Sequence, residues 1–382
     1  MQRVEKRREM NALTSEEEEE VLRVSRFCYQ CGECTAACPL RRVSKFNPRS
    51  ILYNINADIA DSKDNNGLWD CLICENCSII CPQGVDLPSL VLDLRREEKV
   101  NTDILAHRVY SEIASFMTCF DKGVPVEFKG ETAEDSEYAY FPGCLDYLDL
   151  FMDVGVNFHE IGDYAVLLLN KIGIKPRIVS LKCCGHDVLF QGNHAVFEQL
   201  ATYNTKKLKE LGIKKLIVSC AEGFLTFNRY YDLEGIEVIH ISQLLSERMI
   251  AAGERARDIT VTYHDPCALK VFPLYEAPRD AIKKSGARYI ELQHYKDNSL
   301  CCGISGMMNC NDMSKALRTF RLAEVKASGA DLLVTTCPKC LAHLNCLKHE
   351  KEKEREREGN EAEREYKFEI VDLVVFLGRL LI

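Results

Sequence analysis

At 382 residues with 46% apolar side chains, the chain is long enough for two or three domains, each with its own core. A net charge of −9 argues against a nucleic-acid partner, whose phosphates need a basic face. No apolar run reaches bilayer length, so no transmembrane segment is expected, and the charged start MQRVEKRREMNALTSEEEEE lacks the apolar core of an export signal.

The expected setting is therefore cytoplasmic, or peripheral on the inner face of the membrane through a partner. There, twenty cysteines mean metal or redox chemistry rather than disulfides. In chain order, Ser15 and Glu18 form a capping box that opens a helix running through Val21, Leu22 and Val24. Two cysteine runs follow: Cys28-x2-Cys31-x2-Cys34-x3-Cys38-Pro39 and Cys71-x2-Cys74-x2-Cys77-x3-Cys81-Pro82. Between them Ile51, Ile55 and Ile59 recur at helical spacing, where small ferredoxins have strands. An all-helical domain over 1–120 is expected, ending in an amphipathic helix over 101–120. The polar segment 121–137 reads as a linker.

The remainder is a repeat. Cys144, Cys183 and Cys220 recur as Cys267, Cys301 and Cys337 at a near-constant offset of about 120 residues. This implies two units, 138–258 and 259–382. In each, short β-branched runs (YAYFPGC and KKLIVSC, then ITVTYHDPC and DLLVTTC) end in a cysteine. Helical stretches are expected at 194–211 and 312–328. Strands alternating with helices indicate parallel sheets, and ligands of such sheets gather beyond the carboxyl ends of the strands. The expected fold class is thus mixed: a helical two-cluster domain, then two duplicated α/β units. Pro338 suits the first turn of a helix after Cys337, whose free amides favour thiolate and an anionic cluster. Residues 347–366 read as a solvated helix or hairpin, and the tail KFEIVDLVVFLGRLLI as closing the last core.

The two N-terminal runs have the spacing of bacterial two-cluster ferredoxins, in which the fourth cysteine of each run ligates the other cluster. Cys28, Cys31, Cys34 and Cys81 are the expected ligands of one cubane [4Fe–4S] cluster. Cys71, Cys74, Cys77 and Cys38 are those of the second. The second repeat unit offers five thiols, Cys267, Cys301, Cys302, Cys337 and Cys340, one more than a cubane takes. They suit a larger, asymmetric iron–sulfur centre. The first unit has four, Cys144, Cys183, Cys184 and Cys220, with Gly223 where the fifth would stand. An iron–sulfur cluster, a zinc ion and a vestigial fold without metal all remain open there.

CYQCGECTAACP (28–39) and CLICENCSIICPQGVD (71–86) resemble the ferredoxin-like C-type component of heterodisulfide reductase. The stretch 267–340 resembles the CCG domain of the B-type component, and the order of parts resembles the D-type component, in which the two are fused. The resemblance implies a noncubane [4Fe–4S] centre on Cys267, Cys301, Cys302, Cys337 and Cys340. It implies cleavage of a small disulfide there, each sulfur binding an iron. It also implies an electron-donor partner, either a flavin-containing reductase component or a membrane b-type cytochrome. Electron-transfer components of glycolate, lactate and glycerol-3-phosphate oxidases share the layout. So does a sulfur-metabolism protein acting on a protein trisulfide.

His264, beside Cys267, is a candidate proton donor to product thiols, against a structural histidine. His186 has the weaker claim. Lys339 reads as a surface lysine, with balancing cluster charge or meeting an anionic substrate as its functional alternatives. Cys119, Cys310 and Cys346 read as ordinary buried thiols, and Trp69 as packing over a cluster. With no GxGxxG after a strand and no Walker sequence, flavin or nicotinamide chemistry falls to a partner.

Overall fold

The computed structural model describes residues 24–57, 67–97, 107–249, 256–305, 310–357 and 365–382. The helix expected from Ser15, Ile59 and the first part of 101–120 lie outside them.

The N-terminal domain is helical throughout its described residues, as the insert spacing implies. Its helices are α1 (Glu33–Ala37), α2 (Pro48–Asn56), α3 (Gly67–Asp70), α4 (Asn76–Ile79), α5 (Leu87–Glu97) and α6 (Val109–Met117). The two cysteine runs are built alike. Each turns into its short helix through a left-handed residue, Gly32 (φ 91°) and Glu75 (φ 66°). Asn47 caps α2 by accepting the Arg49 N–H at 3.2 Å, and Pro48 takes the first helical position, where a missing N–H costs nothing.

The first α/β unit runs β1 (Tyr138–Phe141), α7 (Leu145–Phe151), α8 (His159–Lys171), β2 (Arg177–Ile178), α9 (His186–Phe190), α10 (His194–Glu210), β3 (Lys215–Val218), α11 (Ala221–Tyr230), β4 (Glu237–His240) and α12 (Ile241–Arg248). Its sheet is parallel, in the order β2-β1-β3-β4. The second unit runs β5 (Thr260–Tyr263), α13 (Cys267–Lys270), α14 (Glu276–Lys284), β6 (Arg288–Tyr289), α15 (Asp312–Ser328), β7 (Leu332–Thr335), α16 (Pro338–Arg357), β8 (Glu369–Asp372) and α17 (Leu373–Leu381). Its parallel sheet has the same order, β6-β5-β7-β8.

The repeat extends to detail. β1, β3, β5 and β7 each bury their last three residues, because helices cover both faces of a parallel sheet. Asn193 and Asn311 cap α10 and α15 by accepting the N–H of Val196 and Ser314. The last residues of β4 and β8, His240 and Asp372, cap the helices that follow. In both units the first strand connects outward to one side and the third strand lies on the other. Beyond the carboxyl ends of these two neighbours a crevice opens.

The units pack through α8 against α17. Gly378 permits this, since a Cβ there would run into the Tyr164 ring. Segment 121–137 is irregular, as a linker would be, but it is strapped to the first unit. Phe128 fills the notch over Gly162, where a Cβ would collide with its ring. The Lys129 N–H donates to Asp163 at 2.9 Å. The charged stretch after residue 347 continues α16 as a helix to Arg357, and the tail closes the last core as β8 and α17.

Candidate iron–sulfur centres

Helix ends bring the N-terminal cysteines into two groups. Cys28, Cys31, Cys34 and Cys81 line one small pocket, and Cys77 lines it too. Cys38 lies against Cys71 and Cys74, and burial together with these neighbours pushes its thiol far up. Cys77 is raised by burial and by the same two neighbours. Each run therefore lends its fourth cysteine to the other group. Burial pushes Cys71 and Cys74 up to about 11. Thiols so buried ionise only against a cation, the behaviour of metal ligands rather than of free nucleophiles. All-sulfur donor sets of this kind fit iron–sulfur clusters.

One residue without a sequence motif holds the second run in place. Arg95 is fully buried. Its guanidinium donates to Leu68 O (2.7 Å) and Cys71 O (2.7 Å) in the N-terminal domain, and to Phe190 O (2.9 Å) in the first α/β unit. Trp69 packs its ring under this guanidinium, 5.2 Å from ring centre to the Arg95 carbon.

In the second unit, Cys267 opens α13, Cys301 and Cys302 follow β6, and Cys337 and Cys340 flank the start of α16. All five border one small cavity of about 20 Å³ beyond the ends of β5 and β7. Sγ of Cys301 is 3.9 Å from that of Cys267, and Sγ of Cys302 is 3.3 Å from that of Cys340. Gly303 sits at φ 98°, which lets its N–H turn back onto Cys301 Sγ at 3.4 Å. Gly185 does the same to Cys183 in the first unit.

The neighbouring domain reaches this site. Ile73 borders the cavity, and Ser305 Oγ donates to Leu72 O at 2.8 Å. Lys270 is buried and its ammonium donates to Asn76 Oδ1 and to Ser299 O. Its charge opposes the rise that burial imposes on the Cys74 thiol and that the Cys301 hydrogen bond and burial impose on Cys267, one from each site. Lys270 carries no motif of its own. Its only sequence signal is its place one turn after Cys267.

His264 is fully buried, and its Nδ1 accepts from Arg321 Nε at 3.1 Å. The ring proton is therefore on Nε2, and a ring nitrogen of His264 lies within 4.8 Å of the Cys302 and Cys340 sulfurs. Burial and the Arg321 charge push its pKa down to about 3. The acid of near-neutral pKa expected from sequence is thus a neutral N–H donor, because a cation 57 residues away occupies the other ring nitrogen.

In the first unit, Cys144 precedes α7, Cys183 and Cys184 precede α9, and Cys220 caps α11. They line a cavity of about 190 Å³ with an apolar far wall that includes Tyr110, Met117 and Phe128. Lys339 also lines it. It is not a surface lysine: it is 3% exposed, and its ammonium pairs with Asp187 and with Glu222 Oε2 (2.6 Å) of the first unit. His186 Nδ1 is 3.3 Å from both carboxylates. Of the three remaining cysteines, Cys119 is exposed rather than buried, while Cys310 and Cys346 are half-buried. Cys119 lies in the turn that ends α6.

A model of the 4Fe-4S dicluster domain matches residues 25–85, and a model of the cysteine-rich CCG domain matches twice, at 138–228 and 261–345. The D component of the dihydromethanophenazine:CoB–CoM heterodisulfide reductase of Methanosarcina barkeri is 25% identical over 83% of this chain and 88% of its own. An uncharacterised iron–sulfur protein of Methanococcus maripaludis is 26% identical, over 84% of this chain and 67% of its own. The EtfAB:quinone oxidoreductase of Syntrophomonas wolfei is 22% identical over 82% of this chain, which spans only 54% of that protein. A crystal structure of a hypothetical protein from Helicobacter pylori shares the fold, with a TM-score of 0.53 and 11% identity over 95% of this chain and 72% of that one. Among the described residues no helix is long and apolar enough to cross a membrane. The chain belongs to the iron–sulfur proteins that join a 4Fe-4S dicluster domain to two cysteine-rich CCG domains, and over most of its length it is similar to the D components of heterodisulfide reductases.

Proposed function

We propose that this chain is the catalytic iron–sulfur subunit of a heterodisulfide-reductase-like complex. It takes electrons from a partner through two cubane clusters and interconverts a small disulfide with two thiols at the second CCG unit. The observation that carries this reading is the five-cysteine cavity of the second unit, set directly against the Cys71–Cys77 loop.

Cys28, Cys31, Cys34 and Cys81 would hold the outer cubane, and Cys71, Cys74, Cys77 and Cys38 the inner. Cys267, Cys301, Cys302, Cys337 and Cys340 would hold the noncubane centre. When bound, these clusters supply the single-electron steps that a two-electron disulfide reaction requires and that zinc cannot. The protein's own part is positional. Lys270 places one cation between the inner cubane ligands and the second unit, favouring anionic charge on both sides. His264 sets a neutral ring beside the Cys302–Cys340 edge, and its Nε2 has no hydrogen-bond partner of its own, so it adds no charge there and would leave an N–H available to sulfur. The cavity is small and lined by Leu225, Val271 and Ile304, which keeps water from the thiol groups. The first unit's Cys144, Cys183, Cys184 and Cys220 would hold a further metal centre.

A second reading keeps the clusters but moves the substrate to a partner. Gly223 removes the fifth thiol from the first unit. The Syntrophomonas relative is named for quinone and electron-transferring flavoprotein rather than for a disulfide. In this reading the chain relays electrons from a flavoprotein. The two readings separate in one assay, with the anaerobically purified chain, reduced viologen as donor and small heterodisulfides as acceptors. Disulfide-dependent viologen oxidation is expected. Its absence in protein carrying its full iron complement, with oxidation by quinone instead, would establish the relay.

A further inference from the structure

Lys339 and Glu222 occupy the same place in the duplication. Each stands two residues after the third cysteine landmark, Cys337 or Cys220, in the first turn of the helix that follows. The two landmarks also meet. The Ala221 N–H donates to Thr336 O at 3.1 Å, and the Cys220 and Cys337 thiols are neighbours. The starts of α11 and α16 therefore lie against each other, and the side chains two residues on reach toward the other unit. Lys339 leaves its own five-cysteine site and lines the first unit's cavity. Glu222 lines both cavities, and His186 accompanies it in each.

The ammonium of Lys339 lands among first-unit groups. Its pairing partners are Asp187 and Glu222, and the thiols that feel its charge most are Cys144 and Cys184. All are buried or lie in the wall of the cavity. Without Lys339 this wall would carry two buried carboxylates beside four cysteines, with only the His186 ring left to pair with them. That arrangement opposes any anionic centre on those cysteines.

We propose that Lys339 is a positioning residue for the first unit: it is the counter-cation of the Cys144–Cys183–Cys184–Cys220 site, supplied from the ligand motif of the second unit. The first site is thereby complete only when the two units are docked, and a charge in one ligand motif acts on the metal centre of the other. The inference rests on the reading that both cysteine sets hold metal centres.

The test compares Lys339→Met, Lys339→Arg and the exchange Glu222→Lys/Lys339→Glu. Each protein is purified anaerobically as the full chain. Its cysteines are alkylated in the folded state and mapped by mass spectrometry, beside iron and zinc content. In the native chain both sets are expected to be protected. In Lys339→Met, alkylation of Cys144, Cys183, Cys184 and Cys220 is expected to rise by roughly tenfold or more, with loss of the metal they hold. Protection of Cys267, Cys301 and Cys302 should persist, which shows that the chain is folded. Lys339→Arg, which keeps the charge, should restore protection. The exchange rebuilds the 222–339 pair but sets a carboxylate against Asp187 where the native ammonium pairs, and should leave the first set less protected than in the native chain. Unchanged protection and metal content of the first set in Lys339→Met would overturn the proposal, as would free alkylation of that set in the native chain. Free alkylation of Cys267, Cys301 and Cys302 in the native chain would instead overturn the proposed function.

Discussion

Replacing Cys340 by serine is expected to abolish disulfide turnover while leaving the two N-terminal clusters in place. Cys340 is the thiol that makes the second unit's set five instead of four, and its sulfur lies 3.3 Å from that of Cys302. A serine oxygen is a hard ligand and a poor substitute at an iron–sulfur site. Changing a mere hydrogen-bonding partner of a metal ligand costs about 10–100-fold. Losing a ligand should exceed that, so viologen-coupled turnover should fall by more than about a hundredfold. The N-terminal groups use none of this unit's cysteines and should keep their iron and their reduced-state spectrum. Retained turnover in Cys340→Ser would remove the catalytic assignment from this site.

Arg95→Ala should be the most destabilising single change outside the cysteines. The guanidinium has no exposed surface, and it satisfies three backbone carbonyls from two domains. Hydrogen bonds from a charged donor contribute about 1.5–3 kcal/mol each, and a buried acceptor left unpaired adds its own desolvation penalty. These terms are not additive, so a total of about 3–5 kcal/mol is expected. The carbonyls of Leu68 and Cys71 bracket the start of the second cysteine run, so loosening there should also speed loss of iron from the Cys71 group. Trp69, the chain's one tryptophan, lies under Arg95 and reports the change directly. Denaturant unfolding followed by its fluorescence should show a lowered midpoint. A shift corresponding to less than about 1 kcal/mol would mean that the domains are held elsewhere.

What can be read from sequence follows from how local each constraint is. Cluster ligation forces short, fixed spacings, so both N-terminal runs and the CCG landmarks are plain. Strands β1, β3, β5 and β7 are plain too, because burial on both faces demands continuous apolar runs ending at a cysteine. Helices α10 and α15 fall at 194–210 and 312–328, close to the stretches their spacing implies. β2 and β6 carry too little pattern, at two residues each. Lys339 looks like a solvated lysine because nothing local distinguishes it from one. Aligning the two units sets it opposite Glu222, and that is the available signal. His264 misleads for a similar reason: its ionisation depends on Arg321, which only the tertiary fold brings to its ring. Arg95 and Lys270 act through long-range contacts, Arg95 with no sequence pattern and Lys270 with only its place one turn after Cys267.

The most direct test of the central claim is electron paramagnetic resonance of the anaerobically purified, oxidised chain, recorded with and without small thiols such as coenzyme M. The account predicts a new paramagnetic signal that requires thiol, present in the native chain and missing in Cys340→Ser. A spectrum unchanged by every thiol tried, in protein with its full complement of iron, would contradict it and leave the chain an electron relay.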